Sequence, residues 1–148
     1  MKLVLQRVKK ASVEINNEVY SSIGKGYLVL FGVEKNDTKE MADWLANKIS
    51  VLRCFPDENE KMNLSIKDVN GEMLIVSQFT LCTDIKKGTR PSFDKAMPPK
   101  EANEIYEYFI SKIKEQTIPV KTGVFGAHME ISLLNDGPVT FIINAPEN

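Results

Sequence analysis

Met73-Leu74-Ile75-Val76-Ser77-Gln78-Phe79 is the stretch on which the fold turns. A short, unbroken apolar run reads as a buried strand, and its closing polar pair, Ser77-Gln78, marks the mouth of that strand. Upstream, Tyr27-Leu28-Val29-Leu30-Phe31 is a second run of the same kind, set off by Gly24 and Gly26. Between the two lies a helical pattern. Asp37 and Glu40 have capping-box spacing, with Thr38 as an alternative cap, and Met41, Trp44, Leu45, Ile49 and Leu52 repeat at helical intervals and should face the core. Pro56 stands beyond that helix, and Asp57-Glu58-Asn59-Glu60-Lys61 is polar enough for a surface loop.

Further out, the chain alternates. Leu3, Leu5 and Arg7 share one face of a strand, with Val4, Gln6 and Val8 on the other. Val13 and Ile15 form another short run, Asn16-Asn17 reads as a turn, and Glu18 to Ile23 as its hairpin partner. Downstream, Pro98-Pro99 opens a second helix whose apolar stripe is Ala102, Ile105, Tyr106, Phe109, Ile110 and Ile113. Strand patterns return over 120–122, 129–134 and 139–143. The expected fold class is α/β of the α+β kind: a single domain over 1–148, with mixed, largely antiparallel sheets and two main helices packed on one side.

Composition narrows the function. At 148 residues the chain is long enough for a core without disulfides. No apolar run nears the roughly 20 residues needed to cross a bilayer, and the N-terminus turns charged too soon for a signal peptide, so a cytoplasmic location is the default. Net charge is −1, which speaks against a protein that grips nucleic acid broadly through phosphates and for local contact only. Two well-separated cysteines, Cys54 and Cys82, and a single histidine, His128, form no zinc pattern, so neither metal nor cofactor is expected. Cys82 with His128 as nucleophile and base finds no local support. Neither GxGxxG nor a phosphate loop occurs.

Four segments stand out chemically. Ser77-Gln78-Phe79-Thr80-Leu81 places hydroxyls, an amide and backbone N–H groups at a strand mouth, which suits an acyl-ester substrate whose tetrahedral intermediate needs donors at its oxyanion. Ser77 or Thr80 is a possible nucleophile, although strand-end hydroxyls usually satisfy backbone groups. Asn135-Asp136-Gly137-Pro138 separates two strand patterns with turn-forming residues, and its Gly-Pro bond is open to the cis form. Gly123 to Met129 mixes small residues with a large apolar pair, and Lys86-Lys87-Gly88-Thr89-Arg90 is a basic turn.

Taken in order, Gln6-Arg7-Val8, Ala11-Ser12-Val13, Lys61-Met62-Asn63, Ser77 to Leu81, Lys87 to Phe93, Phe125-Gly126-Ala127 and Asn135 to Thr140 resemble the motifs of the D-aminoacyl-tRNA deacylase (D-tyrosyl-tRNA deacylase) family across nearly the whole chain. The resemblance implies a homodimeric hydrolase of the ester between a D-amino acid and tRNA, with glycyl-tRNA as a further substrate. It implies that Gly137-Pro138 is cis and reaches into the partner subunit's site as a chiral gate, held by Arg7. Ser77, Gln78, Phe79 and Thr80 then form the amino-acid pocket, with N–H groups around Gln78 and Phe79 as oxyanion donors and the tRNA's own 2′-hydroxyl assisting. Phe125, Gly126 and Met129 line the terminal adenosine site, and Lys86, Lys87 and Arg90 meet tRNA phosphates. His128 departs from the acidic residue many members carry.

Two other readings remain. Relatives of this fold have been associated with DNA binding, usually with basic tails; this chain ends Asn144-Ala145-Pro146-Glu147-Asn148 without one, so no DNA partner is expected. A general esterase would want a nucleophile motif such as GxSxG, which is absent.

Overall fold

Strand β1 (Lys2–Ile15) organises the sheet in the computed structural model, which describes residues 1–147. Along its first half β1 pairs with β3 (Gly26–Gly32), along its second half with β2 (Glu18–Ile23), and along both with β8 (Glu130–Asn144), always antiparallel. The sequence pattern suggests two short runs here; the structure has one strand with a bulge. Val8 faces Asn135 and Lys10 faces Leu134, so β1 gains one residue at Lys9-Lys10, both exposed. An extra residue swaps strand faces. Before it, Leu3 and Leu5 enter the larger core cluster; after it, Ala11 and Val13 join Val8 in a second cluster. Asn16 and Asn17, both at positive φ (52° and 64°), make the tight turn into β2.

After β3 come α1 (Lys39–Val51), a small hairpin of β4 (Phe55–Pro56) and β5 (Met62–Leu64), β6 (Glu72–Ser77), a 3₁₀ turn (Phe79–Cys82), α2 (Pro99–Glu115), and β7 (Val120–Thr122). The main sheet runs β2-β1-β3-β6-β7, with β8 beside β1. β3, β6 and β7 are parallel, and parallel neighbours need long crossovers, which α1 and α2 supply. Burial on both faces explains the two unbroken apolar runs. Tyr27, Val29, Phe31, Met73 and Ile75 join the buried residues of both helices in the larger cluster, while Leu28, Leu74 and Val76 belong to the smaller. Phe31 and Phe109 stack across the helix–sheet contact with centroids 4.4 Å apart.

α2 buries the six residues its spacing predicts, with Pro99 in the first turn. α1 takes the alternative cap and differs from its sequence pattern in one respect. Thr38, not Asp37, is the cap: its hydroxyl accepts from the Met41 N–H at 3.4 Å. Asp37 instead accepts from the Glu34 N–H (2.7 Å) and pairs with the Met1 amino group at 2.7 Å. Trp44 does not face the core. The buried face is Ala42, Leu45, Ala46, Ile49 and Ser50; at 3.6 residues per turn Trp44 lies about 200° round from Ala42. The residue is 36% exposed, with Lys48 Nζ 5.2 Å from its ring centroid.

Candidate functional site

The chemistry-bearing residues gather where β6 runs out. The Gln78 N–H still donates to the Phe31 carbonyl at 2.8 Å, so this amide belongs to the sheet and is withdrawn from the expected oxyanion donors. Phe79 leaves the strand, contrary to the apolar pattern, because the chain coils at once into the 3₁₀ turn. Gly32 permits that turn to sit on the end of β3: a Cβ there would lie 3.0 Å from Leu81 Cβ, 3.2 Å from the Gln78 oxygen and 3.3 Å from Cys82 Sγ. Phe79 and Thr80 N–H groups open the turn, and among the described residues neither has a hydrogen-bond partner.

Gln78 Nε2 donates to Thr80 Oγ1 at 3.0 Å, and Thr83 Oγ1 donates to the Thr80 carbonyl. No base touches Thr80 or Ser77 among the described residues, so neither hydroxyl has the partner an activated nucleophile requires. Tyr106 packs behind the end of β6, as its place in the apolar stripe of α2 predicts. Its buried hydroxyl donates to the Ile75 carbonyl at 2.6 Å, and its ring lies 6.1 Å from that of Phe125. Desolvation raises its pKa well above a free phenol's, keeping it a donor.

Phe125, Gly126, Ala127, His128 and Met129 form the opposite wall, and Phe93 with Ala96 to Pro99 closes a third side. The third wall hangs on the exit of β3 through Met97 N–H to the Val33 carbonyl (3.0 Å) and Lys35 N–H to the Lys95 carbonyl (2.9 Å). Together these walls enclose a cleft of about 760 Å³ that includes Ser77, Gln78, Phe79 and Thr80. His128, exposed, is the one titratable side chain among its lining residues. Cys82 lies outside this lining, buried with Sγ 3.5 Å from the Val33 carbonyl. Desolvation first, then the charge of Glu34, pushes its thiol up to about 11, which leaves it inert as a nucleophile at neutral pH. No group of three metal-ligating side chains occurs among the described residues.

Arg7, Gly137 and Pro138 do not line this cleft. They meet elsewhere, in a bulge of β8. The sequence suggests a turn between two strands, but both flanks pair with β1: Gln6 faces Thr140 and Val8 faces Asn135, so the residues from Asp136 to Val139 stand opposite Arg7 alone. Each residue of the motif has a task. Asn135 Oδ1 accepts from the Val139 N–H (2.8 Å) while its Nδ2 donates to Thr140 Oγ1 (2.9 Å), stapling the bulge from end to end. Arg7, 8% exposed, donates from Nε to the Asp136 carbonyl (3.0 Å) and from Nη1 to the Cys54 carbonyl (2.6 Å). The Asp136 carboxylate lies 3.5 Å from the same guanidinium. Gly137 has φ +143°, and a Cβ on it would fall 2.7 Å from Val139 Cγ2 and 3.3 Å from Arg7 Nη2, so only glycine fits. The Gly137–Pro138 peptide is cis, and both residues are exposed while Val139 is buried.

Lys86, Lys87 and Arg90 are also absent from the cleft lining; they are exposed in the loop between Asp84 and Ser92. One further surface bears on assembly. β8 pairs with β1 on one edge only, and it exposes Leu134 (48%) and Ile142 (74%) along with Leu133 and Phe141.

The D-Tyr-tRNA(Tyr) deacylase family model matches residues 4–144. A D-aminoacyl-tRNA deacylase of Thermodesulfovibrio yellowstonii is 57% identical over 141 residues, 95% of this chain and 97% of that protein. Its namesake in Geotalea uraniireducens is 55% identical over 148 residues, 100% of this chain and 96% of that one. Among solved structures, "c-Myc DNA Unwinding Element Binding Protein" superposes with TM-score 0.93 at 40% identity, covering 99% of this chain and 100% of its own. A probable eukaryotic D-amino acid tRNA deacylase shares the fold, with TM-score 0.80 at 18% identity over 96% and 97% of the two chains.

Proposed function

Since the chain belongs to the D-aminoacyl-tRNA deacylase family and is a hydrolase of the aminoacyl-tRNA ester, we propose that it removes D-amino acids from tRNA, spares L-aminoacyl-tRNA, and so proofreads chirality in translation. The observation that carries this reading is a division of labour. One part of the chain offers an open cleft with unengaged backbone donors and no acid–base pair; another offers a braced, exposed Gly137-Pro138 bulge outside it.

The two are complementary if they come from different subunits. A free β8 edge with exposed leucine, phenylalanine and isoleucine is a surface that proteins cover, and a second copy of this chain would cover it in a homodimer. Gly137 and Pro138 of one subunit then place their carbonyls near the α-carbon of an amino acid bound by the other. A D side chain points to open space, whereas an L side chain runs into a backbone that Arg7 and Asn135 hold rigid. Exclusion of this kind requires no contact with the accepted side chain, so D-amino acids of many sizes pass, and so does glycine on tRNA.

Ser77 to Thr80 hold the aminoacyl group, and the N–H groups of Phe79 and Thr80 receive the developing oxyanion. Phe125, Gly126 and Met129 take the terminal adenosine, while Lys86, Lys87 and Arg90 meet phosphates of the acceptor end. With no base beside Thr80 among the described residues, the tRNA 2′-hydroxyl or water supplies the proton relay. Matched D- and L-aminoacyl-tRNA hydrolysis tests the whole: rapid release of the D residue alone is the expected result, and equal rates would end the chiral mechanism. The solved structure named for DNA binding makes bare DNA a necessary control; affinity equal to that for charged tRNA would favour a DNA partner instead.

A further inference from the structure

The cleft's rim carries an aromatic pair in the open. Phe79 is 58% exposed and Phe93 38% exposed, with ring centroids 5.1 Å apart at 73°. An edge-to-face pair engages at most one face of one ring, which leaves faces free for a further planar group. Phe93 is also the first residue beyond a basic loop. Asp84 and Ser92 exchange two backbone hydrogen bonds of 2.9 Å, closing a loop that carries Lys86, Lys87 and Arg90. Over residues 84–95, Lys86, Lys87, Arg90 and Lys95 face two acids, Asp84 and Asp94, and Asp84 is already paired with Lys95 at 3.6 Å. Lys87 is five residues from Ser92, so it stands within about 17 Å of the loop's base even if the chain is fully extended.

The interior of the cleft is the wrong place for phosphate. No Lys or Arg lines it, and an unpaired anion in an apolar wall is costly to desolvate. A polyanion whose end enters the cleft must therefore leave across the rim, with its charges outside. Aromatic faces beside cations are what single-stranded nucleic acid binds, bases on the rings and phosphates on the cations. We propose, building on the aminoacyl-tRNA reading above, that Phe93, with Phe79 at its edge, is a stacking platform for the unpaired nucleobase just upstream of the terminal adenosine. The enzyme then grips the charged end as a single strand, from the ester in the cleft to the phosphates at the Lys86–Arg90 tip.

The test compares wild type, Phe93→Leu and Phe93→Tyr on two substrates: D-tyrosyl-tRNA, and the D-tyrosyl ester of adenosine, which lacks the upstream nucleotide. Leucine keeps apolar bulk and loses the π face; tyrosine keeps both. Phe93→Leu is expected to raise KM for the charged tRNA by at least about fivefold, the low end for one lost base stack. The short ester should suffer far less, and Phe93→Tyr should restore wild-type behaviour on tRNA. Equal behaviour of Leu and wild type on tRNA overturns the platform. So does an equal loss on both substrates, which would put the ring in the adenosine pocket, or a shifted monomer–dimer equilibrium with unchanged KM, which would make it an interface residue. A wild type inactive on both esters overturns the aminoacyl-tRNA reading itself.

Discussion

Arg7 offers the sharpest test, because one buried guanidinium ties together two pieces of chain far apart in sequence. It donates to the Asp136 carbonyl in the bulge and to the Cys54 carbonyl after α1, at 3.0 and 2.6 Å, with the Asp136 carboxylate at 3.5 Å. Arg7→Ala removes both donors and strands two carbonyls, each bond to a charged donor being worth about 1.5–3 kcal/mol. Relief of the desolvation cost of a buried charge offsets part of this, so a net loss of about 3–4 kcal/mol is expected. A chain of this length has roughly 7–15 kcal/mol to lose, so the variant should fold and can be assayed. Arg7→Lys keeps the charge but cannot fork to both carbonyls, and should cost about 1–2 kcal/mol. Urea unfolding at fixed protein concentration measures the stability, and D- against L-aminoacyl-tRNA hydrolysis on the same samples measures the gate. Both variants should hydrolyse the L substrate faster relative to the D than wild type does. Undiminished D/L selectivity in Arg7→Ala, at whatever stability, would refute the idea that Arg7 braces the gate.

Thr80→Ala should lose less than about tenfold in single-turnover hydrolysis, because no base activates the hydroxyl; removal of a true nucleophile costs on the order of 10⁶. Leu134→Glu with Ile142→Glu should yield folded monomers by sedimentation, with D-specific hydrolysis lost; a selective monomer would show that one chain suffices. Native thiol titration should find Cys54 and Cys82 unreactive at pH 8, since both are buried. Cys82 is raised to about 11 from an ordinary 9, so the folded state favours the protonated thiol. Its contribution to stability is whole below pH 9 and falls away as pH rises towards 11, by about 1.4 kcal/mol per unit. Cys82→Ser should flatten that decline in alkaline denaturation, and an unchanged slope would assign it elsewhere.

Residue order alone determined more of this protein than its individual motifs suggest. The apolar runs at 27–31 and 73–79 read as buried strands, the second two residues too long, and the stripe of α2 read as a helix face, because hydrophobic periodicity is local. The set of spaced motifs likewise gave the family. Three matters were settled only by the folded chain. The bulges in β1 and β8 depend on the register between residues more than 120 positions apart, which no local pattern encodes. Trp44 turned outward because Ala42 and Ala46, small and easily overlooked, occupy the contact face of α1. The free donors at Phe79 and Thr80 exist because Gln78 is spent on Phe31 and Gly32 leaves room for the turn. Sequence can name the groups a site contains. Which of them remain unpaired is decided by what the rest of the chain has already claimed.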